Sequence, residues 1–381
     1  MNRLEELLKK AHQIASDPRA QLDAYLAQGK KVIACAPIYT PEELVHGMGM
    51  VPMGVWGADL ELDHAKQFFP SFICSVMQSI LEMGMRGGYE GISGIMIPSL
   101  CDSMKALGEN WKYAVPTIPF TPADYPQNRK LEAGFLYTQA VYKRQIRQLE
   151  EIGGCRYSEE TLRESNAIYS RHDQVMQKLS RLLADHPSIT AAQRSDLFKS
   201  ALFMRKEEHT ELIEAFMGEL CQVSERQKKL RIVTTGIQAD QPGLLEIFDE
   251  GQLHIVADDV AQESRQYAVD MPELADPIAA AAKKFCDRDC CSVLYDHKKK
   301  RIAKLVETAK ERRADGIVYI QTKFCDPEEF DYVPMKKACE EADIPLLMIE
   351  VDRQMTQFEQ ARTAISAFVE ILRAGTLPSL G

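Results

Sequence analysis

Three cysteines, Cys74, Cys101 and Cys325, each fall where the sequence pattern starts a helix, and thiols at helix starts are suited to holding a metal centre. Two of them close apolar runs that read as buried strands. Gly94 to Pro98 leads into Leu100-Cys101-Asp102-Ser103, and Gly316 to Ile320 leads into Phe324-Cys325-Asp326-Pro327. After Cys325, Asp326 reads as an N-cap, Pro327 as a first-turn proline and Glu329 as a capping-box acid, so free amides of a new helix point back toward the sulfur. Cys74 lies three residues after Ser71, a candidate N-cap, in the first turn of a helix through Met77 to Met85. The helix dipole and its free amides favour anionic sulfur, the form that binds metal. Spacing alone leaves a second reading open. Free cysteine is among the most buried residue types, and separations of 27 and 224 positions match no compact ligand motif.

The other cysteines compete for the same role. Cys286, Cys290 and Cys291 form C-x-x-x-C-C, which can hold iron or zinc by itself, although packing at the start of a buried segment, Cys291 to Tyr295, explains them more simply. Cys35 ends the first strand and is the best fourth thiol, with a core position as the simpler account. Cys155, Cys221 and Cys339 read as packing residues. His46 reads as structural, and a capping box, Thr40-Pro41-Glu42-Glu43, already explains Glu43. No G-x-G-x-x-G after a strand, phosphate-loop motif, G-x-S-x-G or H-E-x-x-H occurs, which leaves nucleotide binding and hydrolase chemistry without a signature.

The elements that must position these thiols follow an alternating strand and helix grammar. Strands are expected at Lys31 to Ala36, Val51 to Trp56, Gly94 to Pro98 and Val115 to Phe120, which together close a first parallel sheet. The stretch from Asn128 to Cys221 reads as helical, with breaks or exposed faces at Gly153-Gly154, His186-Pro187 and Arg205-Lys206-Glu207-Glu208. Strands at Arg231 to Gly236, His254 to Ala257, Gly316 to Ile320 and Leu346 to Val351 repeat the pattern, with helices at Pro242 to Glu250 and about Phe358 to Leu372. A long helix before Gly316 carries Ile302, Leu305, Val306 and Ala309 at the spacing of a buried stripe. The fold expected is α/β: two doubly wound, flavodoxin- or Rossmann-like parallel-sheet domains, 1–127 and 226–381, joined by a helical region, 128–225. Ligands in such folds sit beyond the carboxyl ends of the strands, so a cluster would lie in the cleft between the domains.

Composition narrows the class. The chain has 381 residues, enough for two or three cores, with 45% apolar and 27% charged residues. A net charge of −10 speaks against a nucleic-acid partner, and the basic runs Lys228-Lys229-Leu230-Arg231 and Lys298-Lys299-Lys300-Arg301 read as solvated. No apolar stretch is long enough to span a membrane. Ten scattered cysteines behind a charged N-terminus suggest a reducing, cytoplasmic setting.

Taken in order, Tyr39-Thr40-Pro41-Glu42-Glu43, Val51-Pro52-Met53-Gly54-Val55-Trp56-Gly57, the Cys74 helix, Leu100-Cys101-Asp102 and Lys323-Phe324-Cys325-Asp326-Pro327-Glu328-Glu329 resemble the 2-hydroxyacyl-CoA dehydratase family. Pro126-Gln127-Asn128-Arg129, Phe203 to Glu208, Val256-Ala257-Asp258-Asp259 and Glu359 to Thr363 extend the likeness over almost the whole chain. It points to the smaller, β-type subunit of the dehydratase component, among enzymes for branched or aromatic acyl groups. The resemblance implies one 4Fe-4S cluster on Cys74, Cys101 and Cys325, with a fourth iron that has no cysteine. It further implies an oxygen-sensitive hydro-lyase of anaerobic amino-acid fermentation, acting as a heterodimer with an α-type subunit that binds the acyl-CoA. An ATP-dependent iron-sulfur activator would supply one electron. The chemistry explains the need: the β-proton of an (R)-2-hydroxyacyl-CoA is too weakly acidic for ordinary acid-base elimination, whereas a ketyl radical anion expels the hydroxyl, acidifies that proton and returns the electron with the (E)-2-enoyl-CoA. This chain is expected to relay the electron. No catalytic side chain is assigned. Aromatic-CoA and double-cubane reductases share the pattern, and a non-catalytic metal-binding module is the alternative of another class.

Overall fold

Runs such as Val32–Cys35 and Gly94–Pro98 are buried at every position, which marks strands covered on both faces, as in a parallel sheet. The structure is a computed structural model that describes residues 2–225 and 227–376. The chain opens with α1 (Arg3–Ser16) and α2 (Pro18–Ala27). The first half follows with β1 (Val32–Cys35), α3 (Glu42–Gly47), β2 (Val51–Gly54), α4 (Ser75–Met85), β3 (Gly94–Pro98), α5 (Asp102–Ala114) and β4 (Phe120–Ala123). Four helices then intervene: α6 (Glu132–Gly153), α7 (Glu159–Leu183), α8 (Ala191–Lys199) and α9 (Lys206–Leu220). The second half comprises β5 (Leu230–Gly236), α10 (Pro242–Glu250), β6 (Leu253–Val260), α11 (Pro277–Asp287), α12 (Lys300–Glu311), β7 (Gly316–Thr322), α13 (Asp326–Glu341), β8 (Leu346–Val351) and α14 (Glu359–Thr376). The position chosen from sequence for the second domain boundary, 226, lies outside the described residues, as do the chain ends at 1 and 377–381.

Both sheets are four-stranded and all parallel, ordered β2-β1-β3-β4 and β6-β5-β7-β8. In each, the chain steps outward in opposite directions from the central pair, so the carboxyl ends of β1 and β3, and of β5 and β7, form the crevice where ligands bind in doubly wound folds. The first sheet's core does not stop at its own half. Ile33, Ile95 and Met96 belong to one continuous apolar cluster with Ile237, Ala261, Ile278 and Phe285. Arg353, after β8, ties the halves from the other side: its guanidinium meets Asp59 at 2.8 Å and Asp240 at 2.7 Å, and its amide donates to Ser75 Oγ.

Several expected elements shift. The fourth strand begins at Phe120, because α5 runs to Ala114, the Val115 amide caps it on Trp111 O, and a turn follows. β6 extends past the expected Ala257 to Val260, since buried arginines hold Asp258 and Asp259. The single long helix before β7 is two helices, separated by an irregular segment in which Cys290 has φ 56°. The stripe on α12 is confirmed at Ile302, Leu305 and Ala309.

Two fully buried histidines join the helical region. His172 Nε2 of α7 lies 2.9 Å from His209 Nδ1 of α9, whose Nε2 faces Leu197 O at 3.1 Å. Burial drives both below the usual imidazole value, His209 to about 3. Unfolded, both titrate near the ordinary value, so below about pH 6.5 the unfolded chain binds protons that the folded one refuses. Stability is therefore expected to fall as pH drops, by about 1 kcal/mol per histidine at roughly pH 5.5. Urea midpoints near neutrality and near pH 5.5 measure this. His172→Gln should lose less on acidification than wild type, and an equal loss would remove the histidine from the account.

Candidate metal centre

Each of the three cysteines is an N-cap: Cys74 of α4, Cys101 of α5 and Cys325 of α13. This corrects the expected helix starts. Ser71 does not cap α4, and Asp326 is the first residue of α13 rather than its cap, with no side-chain capping bond at any of the three ends. A thiol at the cap is a weak hydrogen-bond acceptor, so the first amides behind it lack a side-chain cap, although those of Met77 and Glu328 donate to Cys74 O and Cys325 O. Val76 and Met77 amides face the Cys74 sulfur, Ser103 and Met104 amides face Cys101, and the Glu328 amide faces Cys325.

The three residues line one cavity, through about 30 Å³ of which the centre of a water molecule can move. It lies where the crevices of the two sheets meet: Pro37 and Ile38 follow β1, Ile237 follows β5, and Cys101 and Cys325 follow β3 and β7. Trp56, Met77, Met104 and Val293 add apolar surface, and Ser103 and Asp326 are the polar residues of the wall. Phe324, at a left-handed φ of 60°, turns the chain sharply between β7 and Cys325. A bulky residue rarely adopts this conformation, which costs roughly 1–3 kcal/mol and persists only where surrounding structure fixes it.

Burial outweighs the helix ends at these thiols. It pushes the Cys74 thiol up to about 12, and raises Cys101 and Cys325 as well, while the facing amides pull the other way. The thiols are thus neutral until a cation replaces their protons. Among the described residues no three His, Cys, Asp or Glu side chains stand close enough to hold a single ion. A multi-iron cluster has no such need, because each iron takes one thiolate. The donor set, the shared lining and the facing amides fit a group of that kind.

Behind Cys325 lies a charge network that no local sequence pattern announces. Glu328, fully buried in the first turn of α13, receives Arg301 Nη2 at 2.9 Å, Arg265 Nη1 at 3.4 Å and Ser292 Oγ. Arg301 also meets Asp259 at 2.6 Å and Asp331 at 3.0 Å, and is 3% exposed. It belongs to the basic run read as solvated; Lys298, Lys299 and Lys300 are exposed as that reading expects, and Arg301 alone departs from it by turning inward.

The remaining candidates fall elsewhere. Cys35 is buried at the end of β1 with its thiol 3.7 Å from Ile33 O, outside the thiol cavity. Cys286 contacts Thr138 Oγ1, Cys291 lies 3.7 Å from Arg265 Nη1, and Cys290 opens onto a different cavity beside Asp258 and Arg301. These three face separate surroundings and make no shared site. Cys339 packs, Cys155 is half-buried, and Cys221 is exposed rather than packed. His46 is structural, between Ser165 Oγ and Glu207. The Thr40 capping box does not form: Pro41 is the N-cap of α3 and Thr40 Oγ1 donates to Ala36 O. Glu43 is left buried with no cap to explain it.

Comparison with known proteins gives a consistent result. Residues 37–372 match the family described as 2-hydroxyglutaryl-CoA dehydratase, D-component. The chain is 47% identical over 362 residues to the (R)-phenyllactyl-CoA dehydratase beta subunit of Clostridium sporogenes, covering 94% of this chain and 96% of that one. It is 39% identical to the lactoyl-CoA dehydratase subunit beta of Anaerotignum propionicum, over 98% of this chain and the whole of that one. Identity to the (R)-2-hydroxyglutaryl-CoA dehydratase subunit beta of Acidaminococcus fermentans is 36%, over 97% of this chain and the whole of that one.

Proposed function

Because the chain belongs to the 2-hydroxyglutaryl-CoA dehydratase D-component family, we propose that it is the β subunit of a 2-hydroxyacyl-CoA dehydratase and serves there as an electron relay. The observation that carries the relay is the convergence of Cys74, Cys101 and Cys325 on one apolar cavity. These three thiolates would hold a 4Fe-4S cluster, which supplies one-electron chemistry when bound. The protein's own contribution is placement and environment. Val76, Ser103 and Met104 amides face the sulfurs, joined by the Met77 and Glu328 amides that also donate to Cys74 O and Cys325 O, and this favours the thiolate form and the reduced state. Ile38, Trp56, Met77, Met104, Ile237 and Val293 exclude water from the sulfurs. Arg301 and Arg265 fix Glu328, and with it the first turn that carries Cys325.

The partners follow from the relatives' names and from the resemblance. An α-type subunit carries the acyl-CoA, and an ATP-dependent iron-sulfur activator supplies the electron. The resemblance implies anaerobic work in the cytoplasm. Separately, no helix among the described residues is long and apolar enough to cross a membrane. The three relatives compared above are all named as dehydratase β subunits, which favours dehydration over aromatic-CoA or double-cubane reduction.

Reconstitution tests the reading. The chain, its α-type subunit, activator and ATP, combined without oxygen, are expected to convert an (R)-2-hydroxyacyl-CoA to the 2-enoyl-CoA, with no turnover when this chain is omitted. Dehydration by this chain and activator alone would refute the relay. Full activity of the α-type subunit and activator without this chain would refute it equally.

A further inference from the structure

The electrostatics of the thiol cavity pull against the work proposed for it. Three helices start there, α4, α5 and α13, of 11, 13 and 16 residues, each long enough to carry a full dipole. Each amino end is equivalent to roughly half a positive charge, so the three together approach one and a half. Positive surroundings favour the reduced state of a centre held between them. An electron bound for a thioester carbonyl needs the opposite, a strong reductant, because the ketyl radical anion it forms lies high in energy. A negative charge close to the thiols, out of reach of water, resolves the conflict.

Glu328 meets that description. It is the third residue of α13, one turn from Cys325, and side chains three apart on a helix start roughly 5–6 Å from each other. It is fully buried, and its own amide faces the Cys325 sulfur. Burial, then the Cys74 sulfur, then the Glu328 carboxylate hold the Cys325 thiol well above its ordinary value, so the charge is felt at the sulfur. Asp326 also lines the cavity, but it is exposed, where water and salt screen it. The guanidiniums around Glu328 do not cancel it. Arg265 and Arg301 are both shared with Asp259, and Arg301 also with Asp331. Three carboxylates thus face two buried arginines, and the third cation, Lys299, reaches Asp331 from a half-exposed position. A buried ionic cluster of this kind adds little stability over well-packed apolar side chains, so its place directly behind a thiol ligand points to another use.

We propose that Glu328 lowers the reduction potential of the centre held by Cys74, Cys101 and Cys325, offsetting the three helix ends so that the relay can pass its electron on. The proposal rests on the relay reading above. Glu328 touches no reacting atom and exchanges neither electron nor proton. The activator is oxidised by one electron as the relay is reduced, and the relay is oxidised by one as the α-type site is reduced.

Anaerobic redox titration of the assembled subunit complex, followed by EPR, tests it. The signal missing from Cys325→Ala identifies this chain's centre. Glu328→Gln keeps the shape and drops the charge. It should retain its iron and raise the potential by a tenfold change or more in the reduction equilibrium constant, about 59 mV for one electron. One unscreened charge a helix turn away is sufficient for that. Glu328→Asp keeps the charge and alters the shape, and should stay much closer to wild type. A residue that only held the turn in place would give the reverse order. Arg265→Met removes a positive charge while Asp259 and Glu328 each keep Arg301, so it should lower the potential, and it serves if Glu328→Gln does not assemble. An unmoved potential in Glu328→Gln, an equal shift in Glu328→Asp or a rise in Arg265→Met would overturn the proposal and leave the relay standing. A wild-type complex without any signal that Cys325→Ala removes would refute the relay, and this proposal with it.

Discussion

Replacing any one of Cys74, Cys101 and Cys325 with alanine, in the chain produced anaerobically with its α-type subunit, is expected to remove one cluster's complement of iron and sulfide. The three residues line one buried cavity from three separate helix ends, so no neighbouring thiol is placed to substitute. Loss of a metal ligand's supporting partner already costs roughly 10–100-fold in affinity or activity, and loss of the ligand itself should exceed that. Iron and sulfide analysis with EPR of the reduced complex gives the answer without relying on turnover. Cys35→Ala and Cys291→Ala serve as controls and should keep full iron content. If any of the three ligand variants retains its iron with the complex intact, that cysteine is not a ligand and the relay loses its structural basis.

The second large effect concerns stability. Arg301→Met should destabilise the chain by about 3–5 kcal/mol, because it strips a charge partner from Glu328, Asp331 and Asp259. Glu328 and Asp331 have nearly no access to water, so their lost pairing cannot be replaced by hydration. Adding Glu328→Gln to Arg301→Met should recover part of the loss, since it removes one of the stranded charges. Denaturant midpoints for the two variants and wild type measure both statements. A loss below about 1 kcal/mol would mean that the pairs are effectively solvated.

What the sequence revealed, and what it concealed, divides along the range of the interactions. Gly94–Pro98 is apolar along its whole length, Leu346–Val351 at every position but Glu350, and both stop at clear breaks, so local pattern suffices. The thiols were legible because a strand end and a helix start coincide at Cys101 and Cys325. Their helix starts were read a residue or more away, since Asp326 and Ser71 are better caps by type than the cysteines that occupy those places. Arg301 and Lys206 were hidden for the opposite reason. Each sits in a run of charges, which on paper is a wet surface, and each is buried by partners from distant parts of the chain: Asp259 and Glu328 for one, Glu42 for the other. Glu43 was masked by a capping pattern that the backbone does not use.

The common strand order of the two sheets has a consequence for the metal centre. Cys101 and Cys325 occupy equivalent places, each following the third strand of its own half. Cys74 has no such counterpart: it caps the helix before β3, whereas α12, before β7, is capped by Lys299. A twofold repeat supplies corners in pairs. The four-cornered cluster proposed above, set between these halves, would meet two matched thiols and one unmatched thiol, and the repeat itself offers no second unmatched thiol for the remaining corner.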